Sequence, residues 1–207
     1  MSLELGRRAV HASGVGIPLL YLLNLATWTQ VRYVLLLATA IVFILEFLRL
    51  GVGLNHRIYD ELTREYEQES IAGYALYMIS MSAVGLMFTP VVAIPAMLML
   101  SIGDPISGML GSNGPHEHKA PQVWIAMSIV CFTLAAVIVV PAVGGLIAVL
   151  AAALGAVAAA IADGIKPIIR GIPVDDNLTI PPAGALGIAI VLWLGGVGPV
   201  VDPVVPF

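Results

Sequence analysis

Two stretches of the 207-residue chain hold oxygen ligands and a cation at spacings that suit phosphate chemistry. The first, Ser101 to Lys119, reads SIGDPISGMLGSNGPHEHK and follows an uncharged run, PVVAIPAMLML. A helix begun at Val91 carries Asp104 thirteen residues on, roughly 20 Å along its axis. The hydrocarbon core of a bilayer is about 30 Å thick, so Asp104 falls inside it, where an unpaired carboxylate is costly. It calls for a cation, a metal or a bound ligand. Gly103, Gly108, Gly111 and Gly114 lack a Cβ, so they can take positive φ and bring main-chain N–H groups up to an anion. Gly108 and Gly111, three apart, also suit close helix packing. Lys119 is a point charge suited to phosphate. No Gly-Lys-Ser/Thr closes the run, so it is not a Walker loop. His116 and His118 stand two apart without further ligands and read as loop surface.

The second stretch is PVDDNLTIPP, Pro173 to Pro182. Asp175, Asp176 and Asn177 are adjacent hard oxygen ligands of the kind that hold Mg2+ and, through it, phosphate oxygens. An Asx turn closed by proline is the structural alternative. Two smaller constellations precede these. In ELGRRAVH, Glu4 lies three and four residues before Arg7 and Arg8, with His11 one turn further; a snorkelling membrane anchor explains the same pattern. In EFLR, Glu46 and Arg49 form an i,i+3 pair that should face the bundle interior. The polar loop that follows reads as an interfacial helix. Arg64 and Glu65 stand just before the third span, within reach of an active site, whereas Asp60, Glu61, Glu67 and Glu69 read as solvated surface.

The elements that must position these residues are membrane spans. Apolar residues make up 59 % of the chain and charged ones 11 %, and the mean hydropathy is +1.00. A soluble domain keeps about a quarter of its residues charged. Spans of about 20 apolar residues are expected at Val10–Ala26, Tyr33–Leu50, Ile71–Phe88, Val91–Leu110, Val123–Val140, Ala142–Ala162 and Ala183–Val201. The expectation is an all-α integral membrane protein, one domain over residues 1–207, with about seven transmembrane helices. Tight turns at Thr89-Pro90 and Pro141 make their flanking spans hairpins. Arg7 and Arg8 before an apolar run resemble a signal peptide, but no small-x-small site follows, so a retained anchor is expected.

With the N-terminus in the cytosol, Arg7, Arg8, Arg49, Arg57, Arg64, Lys119, Lys166 and Arg170 fall inside and Arg32 alone outside, as the positive-inside rule requires. Asp202 is the one acidic residue outside. Chemistry-capable side chains thus gather at the cytosolic face. The net charge of −4 argues against nucleic acid, and the single Cys131 against a disulfide framework. In AAALGAVAAAIADG, Gly155 and Ala159 share a helix face that permits close packing, and Asp163 continues that face.

Taken together, ELGRRAVH, EFLR, REYEQESIAGY, SIGDPISGMLGSNG ending in Lys119, and DDNLTIP resemble the polyprenol kinase family of dolichol and phytol kinases, in the family's order from Glu4 to Pro181. The glycine-spaced GD run is shared with CTP-using phosphatidate cytidylyltransferases, whose Pro-Gly-His-Gly-Gly signature is absent here. After Lys119 the chain reads APQVWIAM where relatives carry a Ser and a Glu-Gly pair, and Asp163 stands roughly where they carry a Glu.

The resemblance implies transfer of the γ-phosphoryl of CTP to the hydroxyl of an isoprenoid alcohol at the cytosolic membrane face. It places Gly103, Gly108, Gly111 and Lys119 in the nucleotide site, beside Asp104; Gly114 and Arg7 or Arg8 extend that site. Mg2+ is expected on Asp104 and the Asp175, Asp176, Asn177 group. Asp104, Asp176 and Asp163 are the expected catalytic acids, with Asp163 or the spare Asp accepting the hydroxyl proton. The lipid tail is expected between spans, beside Gly155 and Ala159. A CTP-dependent cytidylyltransferase acting on a lipid phosphate is the alternative.

Overall fold

A computed structural model of the chain describes residues 11–54, 56, 59, 63, 67–111, 119–165, 168–169 and 172–203. Arg7, Arg8, Arg64, Glu65, Gly114, His116 and His118 lie outside the described residues, as do Glu4, Arg57, Asp60, Glu61, Lys166 and Arg170.

The described helices are α1 (Gly16–Leu22), α2 (Trp28–Glu46), α3 (Gly73–Met87), α4 (Pro90–Leu98), α5 (Asp104–Leu110), α6 (Pro121–Val143), α7 (Gly145–Gly164) and α8 (Asp176–Leu194). A π-helical turn, Phe47–Gly51, extends α2, and another, Met99–Gly103, joins α4 to α5. Five of the resulting segments are long and apolar enough to cross a membrane: Trp28–Gly51, Pro90–Leu110, Pro121–Val143, Gly145–Gly164 and Asp176–Leu194. The α3 helix is apolar but has only 15 residues. Large apolar side chains such as Leu37, Phe43, Ile129 and Trp193 point outward, as a helical membrane bundle requires.

Local chemistry sets the boundaries, and four expected ones move. The first expected span is broken: a turn at Gly14-Val15 precedes α1. A Cβ on Gly14 would lie 1.8 Å from the Tyr77 hydroxyl, so the break brings the backbone against α3. The second starts at Trp28, because Thr27 and Gln30 form a capping box there. The hairpin expected at Pro141 turns instead at Gly144 and Gly145, with φ of 78° and 67°. Those left-handed values favour glycine, and Pro141 stays inside α6. The last helix begins at Asp176, seven residues before the expected Ala183, because the Asp175 side chain caps it by accepting from the Asn177 N–H. A short antiparallel pair, β1 (Ile168–Ile169) and β2 (Ile172–Pro173), leads into it.

The α7 and α8 helices are held in close contact by small residues. A Cβ on Gly187 would come within 2.8 Å of the Gly155 backbone, and one on Gly155 within 2.5 Å of Ile188. Gly155 and Ala159 thus serve helix packing, and the room expected beside them for a lipid tail is filled by α8.

Candidate functional site

The π-turn Met99–Gly103 brings Asp104 round to where α7 ends and α8 begins. There, oxygens of Asp104, Asp163 and Asp176 all lie within 4.8 Å of one another. Asp163 and Asp176 are buried and Asp104 is partly so. Asp104 Oδ2 is 3.2 Å from His11 Nδ1.

Each acid has a distinct setting. Asp163 is fully engaged, with Oδ1 accepting from Lys119 Nζ at 2.6 Å and Oδ2 from the Ser107 hydroxyl at 2.6 Å. Lys119 Nζ also donates to Ser107 Oγ at 3.0 Å. The ammonium expected to meet phosphate is therefore an internal counter-ion, buried with a carboxylate that is 0 % exposed. Asp175 accepts from both the backbone N–H and the side-chain amide of Asn177, at 2.9 and 2.6 Å. It is the helix cap, the Asx-turn alternative of the sequence, and lies outside the three-acid cluster.

The glycines differ from expectation as well. Gly103 has φ −65° and Gly111 φ −170°, and Gly108 lies within α5. None of the three has the positive φ foreseen for an anion loop. Gly103 and Gly111 make room for α6: a Cβ would meet Met127 at 3.0 Å from the first and Val123 at 2.7 Å from the second.

A cavity of about 460 Å3 adjoins the cluster. Its lining combines polar residues, among them His11, Glu67, Asp104 and Asn177, with apolar ones such as Ile17, Val42 and Met78. Asp104 belongs to both cavity and cluster. His11 is fixed twice, by Asp104 and by the edge of the Tyr77 ring, whose centroid is 4.6 Å away. Tyr77 in turn hydrogen bonds Ser101 Oγ at 2.6 Å.

Glu67, expected on the solvated surface, is 4 % exposed and faces the cavity. The predicted Glu46–Arg49 pair explains how. Arg49 binds Glu46 with both Nε and Nη2, at 3.0 and 2.7 Å. Its remaining donors reach the carbonyls of Glu67, Gln68 and Ser70. Glu46 also accepts from the Ala72 N–H and the Tyr74 hydroxyl. This forked guanidinium staples residues 67–72 to the end of α2 and turns Glu67 inward.

Ser107 escaped the sequence reading, although it stands three residues after Asp104 on the same helix. Glu67 had no local signal, since its inward placement depends on Arg49, eighteen residues away.

Three carboxylates so close together suit a divalent cation. Because Asp163 is occupied by Lys119 and Ser107, the residues fitted to hold one are Asp104 and Asp176. Two carboxylates completed by substrate oxygens is the usual complement of protein-bound Mg2+. Comparison of the chain with protein-family models, curated proteins and solved structures finds no match in any of the three.

Proposed function

We propose that the protein is a lipid-alcohol kinase of the polyprenol type. It would move the γ-phosphoryl of a nucleoside triphosphate, CTP by the sequence resemblance, onto the hydroxyl of an isoprenoid alcohol. The supporting observation is that Asp104 is shared between a three-carboxylate cluster and a cavity lined by both polar and apolar residues. A cavity of mixed lining suits a ligand with a hydrocarbon part and a polar head, and Asp104 would bring that head beside the acids. Topologically, the reading has about seven membrane-crossing segments, with the N-terminus and the site at the cytosolic face.

In the reaction, the alcohol oxygen bonds to the γ-phosphorus while the bond to the β-phosphate oxygen breaks. The nucleoside diphosphate leaves with the electron pair, and the hydroxyl proton passes to solvent through the cavity. Transfer of this kind asks mainly for positioning and charge stabilisation. Asp104 and Asp176 are the residues that would hold Mg2+, which neutralises phosphate charge when bound. Asp163 is reassigned from proton acceptor to anchor, since both its oxygens are taken. Lys119 holds it there and fixes the end of the glycine-bearing segment. Gly114, which lacks a Cβ, and Arg7 or Arg8, as a phosphate clamp, keep their place in the nucleotide site on the sequence alone.

The test is purified protein incubated with CTP carrying distinct α- and γ-phosphate labels and an isoprenoid alcohol. A kinase moves the γ-label into lipid. A cytidylyltransferase would instead put the α-label on a lipid phosphate and release pyrophosphate. Label in no lipid, across a panel of nucleotides and prenols, refutes both.

A further inference from the structure

We propose that Asn177 Oδ1 is the acceptor that recognises the lipid hydroxyl, and that Glu67 disfavours lipids already phosphorylated. The proposal rests on the kinase reading for the identity of the lipid, but it is carried by different atoms. Asn177 is 9 % exposed, lines the cavity, and its Oδ1 is buried without a hydrogen-bond partner among the described residues. A buried carbonyl oxygen without a donor is costly and calls for a ligand that supplies one. The amide orientation is fixed chemically: its nitrogen donates to Asp175 Oδ1 at 2.6 Å, and the flipped amide would set two acceptors against each other. Its main chain is fixed as well, because Ser80 Oγ donates to the Asn177 carbonyl at 2.6 Å. The side chain is therefore held rigidly, one branch on its cap and the other, Oδ1, buried without a partner among the described residues.

The surroundings select among head groups. Two carboxylates, Glu67 and Asp104, line the cavity, and no lysine or arginine does among the described residues. Glu67, which stands outside the proposed metal pair, accepts a neutral hydroxyl nearby and repels a lipid phosphate, which favours both entry of the alcohol and departure of its product. Gly73 keeps the two walls apart. A Cβ there would stand 3.1 Å from the Asn177 amide nitrogen and 3.4 Å from Glu67 Oε1, so only glycine leaves that space open.

The experiment is competition against tritiated geranylgeraniol on the purified full chain, without nucleotide. The competitors are geranylgeraniol, the hydrocarbon lacking its hydroxyl, and geranylgeranyl phosphate. For the wild type, the alcohol should compete roughly 10-fold better than the hydrocarbon, the effect of one well-placed hydrogen bond, and better than the phosphate. Asn177→Leu should abolish the preference over the hydrocarbon. Glu67→Gln should narrow the preference over the phosphate. Gly73→Ala should weaken alcohol binding while preserving the fold, which guards against instability of the Asn177 variant. Equal competition by all three ligands in the wild type overturns the proposal, as does an unchanged ranking in the Asn177 and Gly73 variants. Either result leaves γ-label transfer to be observed independently. Conversely, hydroxyl-selective binding with no label transfer sinks the kinase reading and keeps the site.

Discussion

The hydroxyl of Ser80 donates to the main-chain carbonyl of Asn177 at 2.6 Å. That carbonyl is the one a regular helix would pair with the N–H of residue 181, and residue 181 is a proline. Ser80 on α3 therefore replaces the bond that Pro181 removes from α8, and does so at the residue beside Asp176. Ser80→Ala should lower stability by about 1–3 kcal/mol, the cost of a buried acceptor left unsatisfied. It should also loosen the Asn177 side chain. Thermal unfolding in detergent checks the first effect, and an unchanged midpoint would show that water or backbone adjustment satisfies the carbonyl.

Lys119 and Asp163 form a buried pair whose loss should be asymmetric. Lys119→Met alone strands a carboxylate that is 0 % exposed, and Asp163→Asn alone strands an ammonium. Each single change should cost about 3–5 kcal/mol, whereas replacing both by apolar residues of similar size should cost much less. A double-mutant cycle on unfolding midpoints reads the coupling. Additive losses would mean that the pair is not a unit.

On the proposed reading Asp104 and Asp176 hold the metal, and they should behave in the opposite way. Asp104→Asn and Asp176→Asn should each lower turnover by roughly 100-fold or more, with expression and unfolding midpoint close to wild type. Chelation should silence the wild type and added Mg2+ should restore it. Wild-type turnover in both variants would remove these residues from the mechanism.

The parts of this arrangement visible in the sequence are those governed by neighbours along the chain. The uncharged runs at Pro90–Leu110 and Pro121–Val143 announce spans by composition alone. The Glu46–Arg49 pair follows from i,i+3 spacing. What stayed hidden is decided across the bundle. Lys119 has the chemistry of a phosphate ligand until Asp163, 44 residues on, is seen beside it. An absent Cβ at Gly103 looks the same whether it admits an anion or, as here, Met127. The helical start at Asp176, ahead of Pro181 and Pro182, is supported by Ser80, 97 residues earlier in the chain, which satisfies the Asn177 carbonyl.

Arg32 provides the control at the far end of the bundle. Its Nε donates to the Gly85 carbonyl at 2.9 Å and its guanidinium also reaches the Phe88 carbonyl, so it caps the C-terminal end of α3. The same side chain holds Asp202, through the main-chain carbonyl and through the carboxylate at 3.2 Å. Asp202 lies in an extended segment that pairs back on the α3–α4 hairpin, Val201 opposite Phe88. Arg32→Leu removes donors from carbonyls that are buried together, so the unfolding midpoint should fall by an amount corresponding to about 2–4 kcal/mol. None of these atoms lines the cavity or touches the acid cluster. Label transfer measured well below the lowered midpoint should therefore stay within about twofold of wild type, an energy difference under the ~0.5 kcal/mol to which independent distant sites add. A large loss of turnover in a folded Arg32→Leu protein would mean that the two ends of the bundle are coupled through α3, the helix that carries Tyr77, Ser80 and the capped carbonyls alike.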